Sequence, residues 1–186
     1  ILESNPDCVV LVDEAYVDFG AQSAAGLVPE YDNLVVVHTL SKSRSLAGLR
    51  VGYALGQPNL TAALRCVRDS INSYTVDRLA QAGGAAAMRD RTYFEATAAK
   101  VQATRERTAA RLRELGFTVY PSAANFIFIS HPDRAARALL AGLREKGVLV
   151  RWFDRPRIDN YLRVSIGTDE EMDAFCAAVQ ELLTKT

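Results

Sequence analysis

The sequence predicts an open α/β domain followed by a smaller α+β domain. Two short apolar runs rich in β-branched residues, at positions 9–12 and 34–37, each end in polar residues, as buried strands of an open α/β sheet do. Farther along, a long helical pattern is followed by strands that alternate with helices. We therefore place a domain boundary near residue 89, between residues 1–89 and residues 90–186.

The first part of the chain contains three strand patterns and two helix patterns. Pro58 lies at the start of the first helix pattern, where proline is tolerated. Gly83-Gly84 interrupts the second helix pattern, and we interpret this pair as a sign of close helix packing. The predicted strands are residues 9–12, 34–37 and 51–55, and the predicted helices are residues 59–69 and 75–88.

The second part begins with a long helix that Asp90 can cap and that runs to residue 116. We expect the charged residues of this helix, Arg105 among them, to form its solvated faces.

Strands and helices then alternate to the end of the chain. Pro132 and Gly147 mark the start and the end of one helix, and Thr168 with Glu171 forms a capping box for the last helix. The predicted strands of this part are residues 117–120, 126–129, 148–150 and 161–165.

Composition and charge exclude several classes of function. Hydrophobic residues make up 49% and charged residues 24% of the 186 residues, and Lys+Arg and Asp+Glu both total 22. This balance is typical of a globular protein and gives no attraction to nucleic acid or to an anionic membrane. Cys8, Cys66 and Cys176 are scattered, which favours a reduced, cytoplasmic protein over a disulfide framework. His38 and His131 lack metal-ligand spacing, so we predict no metal site.

The most informative stretch is residues 39–53, TLSKSRSLAGLRVGY, directly after the second apolar run. Lys42 lies between Ser41 and Ser43, and Arg50 follows farther along. Hydroxyl groups and a planar guanidinium near a lysine suit a bound phosphate group, and a lysine desolvated beside a cation can form a Schiff base. These residues predict a site for pyridoxal phosphate, and the alternative is that Lys42 and Arg50 are solvated loop charges.

A second motif, Asp13-Glu14-Ala15-Tyr16, ends the first apolar run. Ligands of open α/β sheets bind outside the carboxyl ends of the strands, where both motifs are expected to lie. Asp13 can keep a pyridinium nitrogen protonated, and Tyr16 can donate a hydrogen bond to the phenolic oxygen of the ring. A buried Asp followed by a packing Tyr is the structural alternative, and the joint occurrence of the two motifs favours the cofactor site.

Several stretches of the chain share the pattern of one known family. They are Asp13-x-Ala15-Tyr16, Thr39-x-Ser41-Lys42, Leu46-Ala47-Gly48-Leu49-Arg50-x-Gly52-Tyr53, Asn72-Ser73-Tyr74 with Leu79-Ala80-Gln81, Ser122-Ala123-Ala124-Asn125-Phe126 and Leu162-Arg163-Val164-Ser165-Ile166-Gly167-Thr168. These stretches resemble the class I and II aminotransferases of fold type I, and among them the histidinol-phosphate aminotransferases. The resemblance implies that residues 1–89 are the C-terminal portion of a large pyridoxal-phosphate-binding domain and that residues 90–186 are the small C-terminal domain.

The resemblance also implies roles for the cofactor residues. Lys42 would hold pyridoxal 5'-phosphate covalently and act as general base and acid in ping-pong transamination. Asp13 and Tyr16 would contact the ring, and the residues that would hold the phosphate are Thr39, Ser41 and Arg50. The reaction implied is the exchange of histidinol phosphate and 2-oxoglutarate for imidazole-acetol phosphate and glutamate, in histidine biosynthesis, by a homodimer.

Three residues are implied on the substrate side. Arg163 would bind the α-carboxylate, although an arginine in an apolar strand could also pair with a local carboxylate. Arg151 would contact the substrate phosphate, a role that Arg155 or Arg157 could take instead. Asn125 would lie near the substrate, and a role in a turn is equally plausible.

Four alternatives stay open at this stage. The same motifs occur in aromatic aminotransferases and in threonine-phosphate decarboxylases. Enzymes of the family are longer than this chain, which corresponds to their C-terminal half, so a folded fragment that is inactive alone is the non-enzymatic alternative. An apolar strand ending in Asp13-Glu14 also fits a P-loop ATPase fragment, although no Walker A sequence is present here.

Overall fold

The computed structural model describes residues 1–184, and these residues form two compact units that divide between Thr97 and Ala98. The division falls inside helix α3 (Arg91–Glu114). The assignment of residues 1–89 and 90–186 to a large and a small family domain stays a prediction. The chain mixes helices and strands, as the predicted α/β class requires.

The first unit is organised on a three-stranded sheet in the order β1-β2-β3. The strands are β1 (Val10–Asp13), β2 (Leu34–Thr39) and β3 (Gly52–Gly56). Strand β2 is central, parallel to β1 and antiparallel to β3, and its first three residues are buried. The three predicted strands are therefore confirmed, with ends that differ by one or two positions.

Two helices complete the first unit, α1 (Pro58–Ile71) and α2 (Arg78–Arg89). Pro58 occupies the first turn of α1, and Asp77 caps α2 by accepting from the Ala80 amide at 2.8 Å. A Cβ atom on Gly83 would lie 2.8 Å from the Leu49 side chain, and one on Gly84 would lie 3.4 Å from Leu40. The predicted close packing is confirmed, because α2 lies directly against the segment that carries the lysine motif.

The second unit is an antiparallel α+β structure with the strand order β4-β5-β7-β6. Its strands are β4 (Thr118–Val119), β5 (Phe126–Ser130), β6 (Arg151–Trp152) and β7 (Leu162–Ser165), and its helices after α3 are α4 (Ala136–Glu145) and α5 (Asp169–Thr184). The pleat sends alternate residues to opposite faces. Ile127, Ile129, Leu162 and Val164 belong to the buried core, so the other face carries the alternate residues, aromatic and polar side chains, with Arg163 among them.

The predicted strand at residues 148–150 is wrong. Gly147 adopts the left-handed conformation at φ 76°, and the Val148 amide donates to the Leu143 carbonyl at 2.9 Å. Val148 therefore belongs to the C-terminal cap of α4, and the strand begins only at Arg151. Helix α4 also begins later than Pro132 predicts, at Ala136. The Asn160 side chain caps it there by accepting from the Ala136 amide.

The capping box at the start of α5 is confirmed. The Thr168 amide donates to a Glu171 carboxylate oxygen at 2.8 Å, and the Glu171 amide donates to the Thr168 hydroxyl at 3.3 Å. Asp169 accepts from the Thr104 hydroxyl at 2.7 Å and from Arg107 at 2.7 Å. The hydrogen bond from Thr104 is the main cause of a pKa of Asp169 below its usual 3.8.

We expect the contribution of Asp169 to the stability of the second unit to disappear in acid. Because folding lowers the pKa of Asp169, its stabilising effect is present above pH 3.8 and is lost as the pH falls through the lower, folded value. Unfolding can be followed by fluorescence of the single tryptophan, Trp152, for the parent and for Asp169→Asn between neutral and acidic pH. The stability difference between them should shrink with falling pH, and a constant difference would show that Asp169 does not titrate with folding.

Candidate active site

The two predicted motifs meet at one edge of the first sheet. Strands β1 and β2 are parallel, so their carboxyl ends lie side by side, with Asp13 opposite Val37. Strand β3 begins at the same edge, because Gly52 pairs with Thr39. A Cβ atom on Gly52 would lie 2.7 Å from the His38 carbonyl oxygen, so this close approach of backbones needs glycine. Ligands of open sheets bind at such an edge.

Lys42 and Tyr16, one from each motif, are neighbours in space. The Lys42 ammonium nitrogen lies 5.5 Å from the centroid of the Tyr16 ring, within the range of a cation–π contact. The Lys42 side chain is exposed and forms no ion pair within residues 1–184. This amine is therefore accessible to a small molecule that binds at the sheet edge.

The hydroxyl groups of Thr39 and Ser41 are hydrogen-bonded to each other. The Thr39 hydroxyl donates to Ser41 Oγ at 2.9 Å, and the Ser41 amide donates to Thr39 Oγ1 at 3.1 Å. Because Ser41 Oγ accepts in this pair, its own proton remains able to donate to an anion.

Arg50 ends the short 3₁₀ helix Ala47–Leu49 in a left-handed conformation, with φ 54°. It is exposed and donates to the Ala47 carbonyl at 2.8 Å, and in the described chain no carboxylate pairs with it. Ser45, in the same loop, has φ 56°. Residues other than glycine rarely adopt this conformation, and such strain is concentrated at functional sites.

Asp13 is exposed at the end of β1 and accepts from the Ala15 amide at 3.0 Å through Oδ1. A carboxylate has about four acceptor positions, so this single bond leaves it able to accept a further N–H.

The neighbours of Lys42 anchor the loop. The Ser43 hydroxyl donates to Asp18, and Arg44 donates to the Ala87 carbonyl at 2.7 Å with its guanidinium 3.5 Å from the centroid of the Phe94 ring. The sequence left the role of Arg44 open, and the structure uses it to hold the loop against the end of α2 and the start of α3. Sequence analysis did not find Asp18, since nothing in Val17-Asp18-Phe19 distinguishes it.

A pair of arginines occupies the open face of the second sheet. Arg151 on β6 lies directly opposite Arg163 on β7. Arg163 Nε is buried and has no hydrogen-bond partner among the described residues, and its guanidinium lies 5.3 Å from the Phe126 ring and 5.9 Å from the Phe153 ring. The Arg151 guanidinium lies 5.4 Å from Phe153.

The predicted alternative, a local carboxylate partner for Arg163, is wrong within residues 1–184. Like charges directly opposite each other on neighbouring strands are destabilising, and a buried donor without a partner is costly. An anion between the two guanidinium groups would remove both costs. This arrangement is therefore suited to bind a carboxylate or a phosphate group.

Asn125 lies in a turn that other groups hold rigidly. Its carbonyl accepts from the Ile166 amide at 2.9 Å, and the neighbouring Ala124 carbonyl accepts from Arg105 at 2.9 Å. Ser122 donates to the Phe126 carbonyl at 2.6 Å. The expectation that Arg105 is solvated is wrong, because Arg105 is only 6% exposed and holds this turn.

No group of three or more metal-ligating side chains comes together in residues 1–184. Over the same residues, none of the helices combines the length and the apolar character that a membrane span needs.

Comparison with known proteins decides the family. The sequence profile of the family described as aminotransferase class I and II matches residues 1–179. The chain belongs to the class I and II aminotransferases. Membership of this family excludes the alternative that the chain is a fragment of a P-loop ATPase.

Relatives of this aminotransferase chain are known by sequence and by structure. Histidinol-phosphate aminotransferase 1 of Bordetella parapertussis is 56% identical over 184 residues, which are 99% of this chain and 52% of that protein. Histidinol-phosphate aminotransferase of Clostridium acetobutylicum is 54% identical over 183 residues, 98% of this chain and 52% of that protein. The chain thus spans about half the length of the curated relatives it matches.

A solved structure extends the comparison to the fold of the aminotransferase chain. The crystal structure of histidinol-phosphate aminotransferase from Sinorhizobium meliloti in complex with pyridoxal-5'-phosphate matches with a TM-score of 0.84 at 28% identity, over 96% of this chain and 49% of that one. The fold of this chain is therefore that of pyridoxal-phosphate aminotransferases.

The predicted site residues of the aminotransferase chain fall into two groups. One group lies at the sheet edge of the first unit and comprises Asp13, Tyr16, Thr39, Ser41, Lys42 and Arg50. The other lies in the second unit and comprises Asn125, Arg151 and Arg163. Their individual roles stay predictions.

Proposed function

We propose that this chain is the cofactor-lysine half of a histidinol-phosphate aminotransferase. The reaction is the exchange of histidinol phosphate and 2-oxoglutarate for imidazole-acetol phosphate and glutamate, in histidine biosynthesis. The observation that carries the proposal is the exposed Lys42 amine beside the Tyr16 ring, at the edge of a sheet where a hydroxyl and an arginine lack an anionic partner. Two histidinol-phosphate aminotransferases that are 56% and 54% identical to this chain over the matched residues support the choice of substrate.

The residues at the sheet edge fit pyridoxal 5'-phosphate. Its phosphate needs hydroxyl donors and a cation, and Ser41, with Thr39 behind it, and Arg50 supply these. The Asp13 carboxylate, with acceptor positions to spare, suits a protonated ring nitrogen, and the Tyr16 hydroxyl suits the phenolic oxygen. When bound, this cofactor withdraws electrons from the substrate carbon that loses its proton.

Lys42 has two tasks in this proposal. Its amine would hold the cofactor through the cofactor's aldehyde group in the resting enzyme. Once a substrate amine had displaced it, the free Lys42 amine would take the proton from the substrate carbon and deliver it to the aldehyde-derived carbon of the cofactor. The ring of Tyr16 limits the directions that the flexible lysine side chain can take. An accessible amine without a competing carboxylate is suited to both tasks.

The arginine pair has the chemistry to bind substrate anions. Arg163, held between the Phe126 and Phe153 rings, would take the α-carboxylate of glutamate or 2-oxoglutarate in a planar fork. Arg151 would take the phosphate group of histidinol phosphate. Asn125, in its rigid turn, would orient the substrate. Arg155 and Arg157 are exposed and remain the alternatives for the phosphate.

The remaining parts of the proposal concern partners and compartment. We expect a homodimer in the cytoplasm that binds small molecules rather than nucleic acid or membrane. The equal numbers of basic and acidic residues, 22 of each, support the expectation that the chain binds neither nucleic acid nor membrane. The other half of the family's length would supply further cofactor contacts, so a folded but inactive fragment is the state expected for this chain alone.

Covalent capture of the cofactor tests the proposal. The chain is titrated with pyridoxal phosphate, followed by absorbance, then reduced with borohydride and mapped by peptide mass. We expect a reduced adduct on Lys42 rather than on Lys100, Lys146 or Lys185, and less adduct when histidinol phosphate is added before reduction. A folded chain that is labelled only at the other lysines would contradict the cofactor proposal. If phosphothreonine lowers the labelling of Lys42 as much as histidinol phosphate does, the proposed substrate is wrong.

A further inference from the structure

Glu14 carries a buried carboxylate that the proposed reaction does not use. The residue is 7% exposed, and its carboxylate accepts from the Ala24 amide at 2.5 Å, from the Ser23 hydroxyl at 2.7 Å and from His38 Nε2 at 2.7 Å. Taking a carboxylate out of water is expensive unless it is fully hydrogen-bonded. Three donors from two separate segments provide that compensation, so Glu14 ties these segments together.

The segment that contains Glu14 and the segment of its partner His38 carry the two cofactor motifs. Glu14 lies between Asp13 and Tyr16, and its partner His38 directly precedes Thr39. The Glu14 amide also donates to the Val37 carbonyl at 2.9 Å, which continues the pairing of β1 with β2 beyond the end of β1. Both the backbone and the side chain of Glu14 thus connect the end of β1 to the end of β2.

His38 extends the connection to β3. Its ring stacks on the Tyr53 ring, with a centroid distance of 4.9 Å and an interplanar angle of 4°. Farther from the strands, the Ser43 hydroxyl donates to Asp18, so the loop that follows Tyr16 is also joined to the loop that follows Lys42. Two carboxylates, Glu14 and Asp18, therefore bridge the same two motifs at different distances from the sheet.

We propose that Glu14 is a positioning residue, which holds the Asp13–Tyr16 segment in register with the Thr39–Lys42 segment through His38. The inference rests on the proposed function, because the positioned groups are those assigned to the cofactor. Glu14 itself touches no reacting atom. Its importance comes from the direction of its side chain, which points to β2 and is held there by a charge-assisted hydrogen bond.

Glu14→Gln is the sharpest variant, because it keeps the volume and removes the charge. An amide has one oxygen acceptor where a carboxylate has two, so it cannot accept from the Ala24 amide, the Ser23 hydroxyl and His38 at once. Glu95→Gln is the matched control, since Glu95 is in the same unit and forms an exposed ion pair with Arg91 at 3.1 Å. Amide hydrogen exchange then reports local opening at each residue.

We expect Glu14→Gln to speed exchange at the hydrogen-bonded amides of Val17, Leu40 and Ser41 by about tenfold, which corresponds to ~1.4 kcal/mol. Exchange in β5 and β7, in the second unit, should be unchanged, and Glu95→Gln should leave all these amides as in the parent. Unchanged exchange at Leu40 and Ser41 would overturn the proposal, as would an equal increase throughout the first unit.

A second variant and a second readout keep the test decisive. If Glu14→Gln does not fold, His38→Phe removes the same hydrogen bond from the other side, because phenylalanine has no donor, and should speed exchange at the same amides. Unchanged exchange there would also overturn the proposal. Labelling with pyridoxal phosphate should shift from Lys42 toward Lys100 and Lys146 in either variant. If the parent itself is not labelled at Lys42, the proposed function fails, and hydrogen exchange alone still decides the role of Glu14.

Discussion

Replacing Lys42 with arginine is expected to abolish covalent capture of pyridoxal phosphate at the sheet edge. Arginine keeps the positive charge and a similar length, so the contact with Tyr16 and the local electrostatics are largely retained. A guanidinium does not form a stable Schiff base with an aldehyde under these conditions, because it stays protonated and its nitrogen lone pairs are delocalised. The fraction of chain labelled on reduction should fall to the background of the other lysines.

The same substitution should remove most of the catalytic rate in an enzyme of full family length. Loss of a positioned general base alone costs about 10²- to 10⁴-fold in rate. The matched control is Lys146→Arg, since Lys146 is paired with Glu181 in the second unit and has no role in the proposal. Retention of labelling in Lys42→Arg, or an equal loss in Lys146→Arg, would show that another amine captures the cofactor.

The sheet edge could be predicted from sequence because its signals are local. Two apolar runs that each end in a polar motif, 9–12 and 34–37, are enough to place Asp13 and Lys42 at the carboxyl ends of neighbouring strands. The parallel pairing of β1 with β2 then puts both motifs on the same edge. The capping box of Thr168 and Glu171 was predictable for the same reason, since both partners lie within one helical turn.

The two errors have different causes, one local and one distant in the chain. The β-branched residues at 148–150 predict a strand, but the left-handed Gly147 commits Val148 to the cap of α4. Arg105 has the sequence surroundings of a solvated helix residue, yet it is buried because it reaches a carbonyl at Ala124. Only the contact of Arg105, which joins residues 19 positions apart, cannot be derived from spacing along the chain.

The parts of the candidate site that sequence analysis missed depend on which residues face each other when the strands pair. Glu14 stands between two motif residues, but nothing in the sequence shows that His38 will lie within hydrogen-bond distance of its carboxylate. In the same way, the apolar strand around Arg163 indicates that this arginine needs an anion, whereas the identity of the residue opposite, Arg151, follows only from the pairing of β6 with β7.

The pairing of Arg151 with Arg163 leads to a second prediction with a large effect. Arg163→Gln should raise the unfolding temperature of the chain without ligand and should weaken anion binding. Without an anion, the parent has two like charges opposite each other, which costs on the order of 0.2–1 kcal/mol for a cross-strand pair. The variant lacks this repulsion and should unfold at a slightly higher temperature. With glutamate or inorganic phosphate, the parent should gain stability in proportion to occupancy, and the variant should gain little.

The expected loss of affinity follows from the hydrogen bonds of the guanidinium fork. Bonds to charged groups contribute ~1.5–3 kcal/mol each, so Arg163→Gln should weaken glutamate binding by about 10- to 100-fold. Unfolding can be followed by the fluorescence of Trp152, and glutamate binding by the rise in the unfolding temperature that the ligand causes. Arg113→Gln, an exposed arginine of α3, is the control and should bind glutamate as the parent does. If Arg163→Gln lowers stability without ligand and keeps the gain from glutamate, the arginine pair is a structural feature and the anion is bound elsewhere.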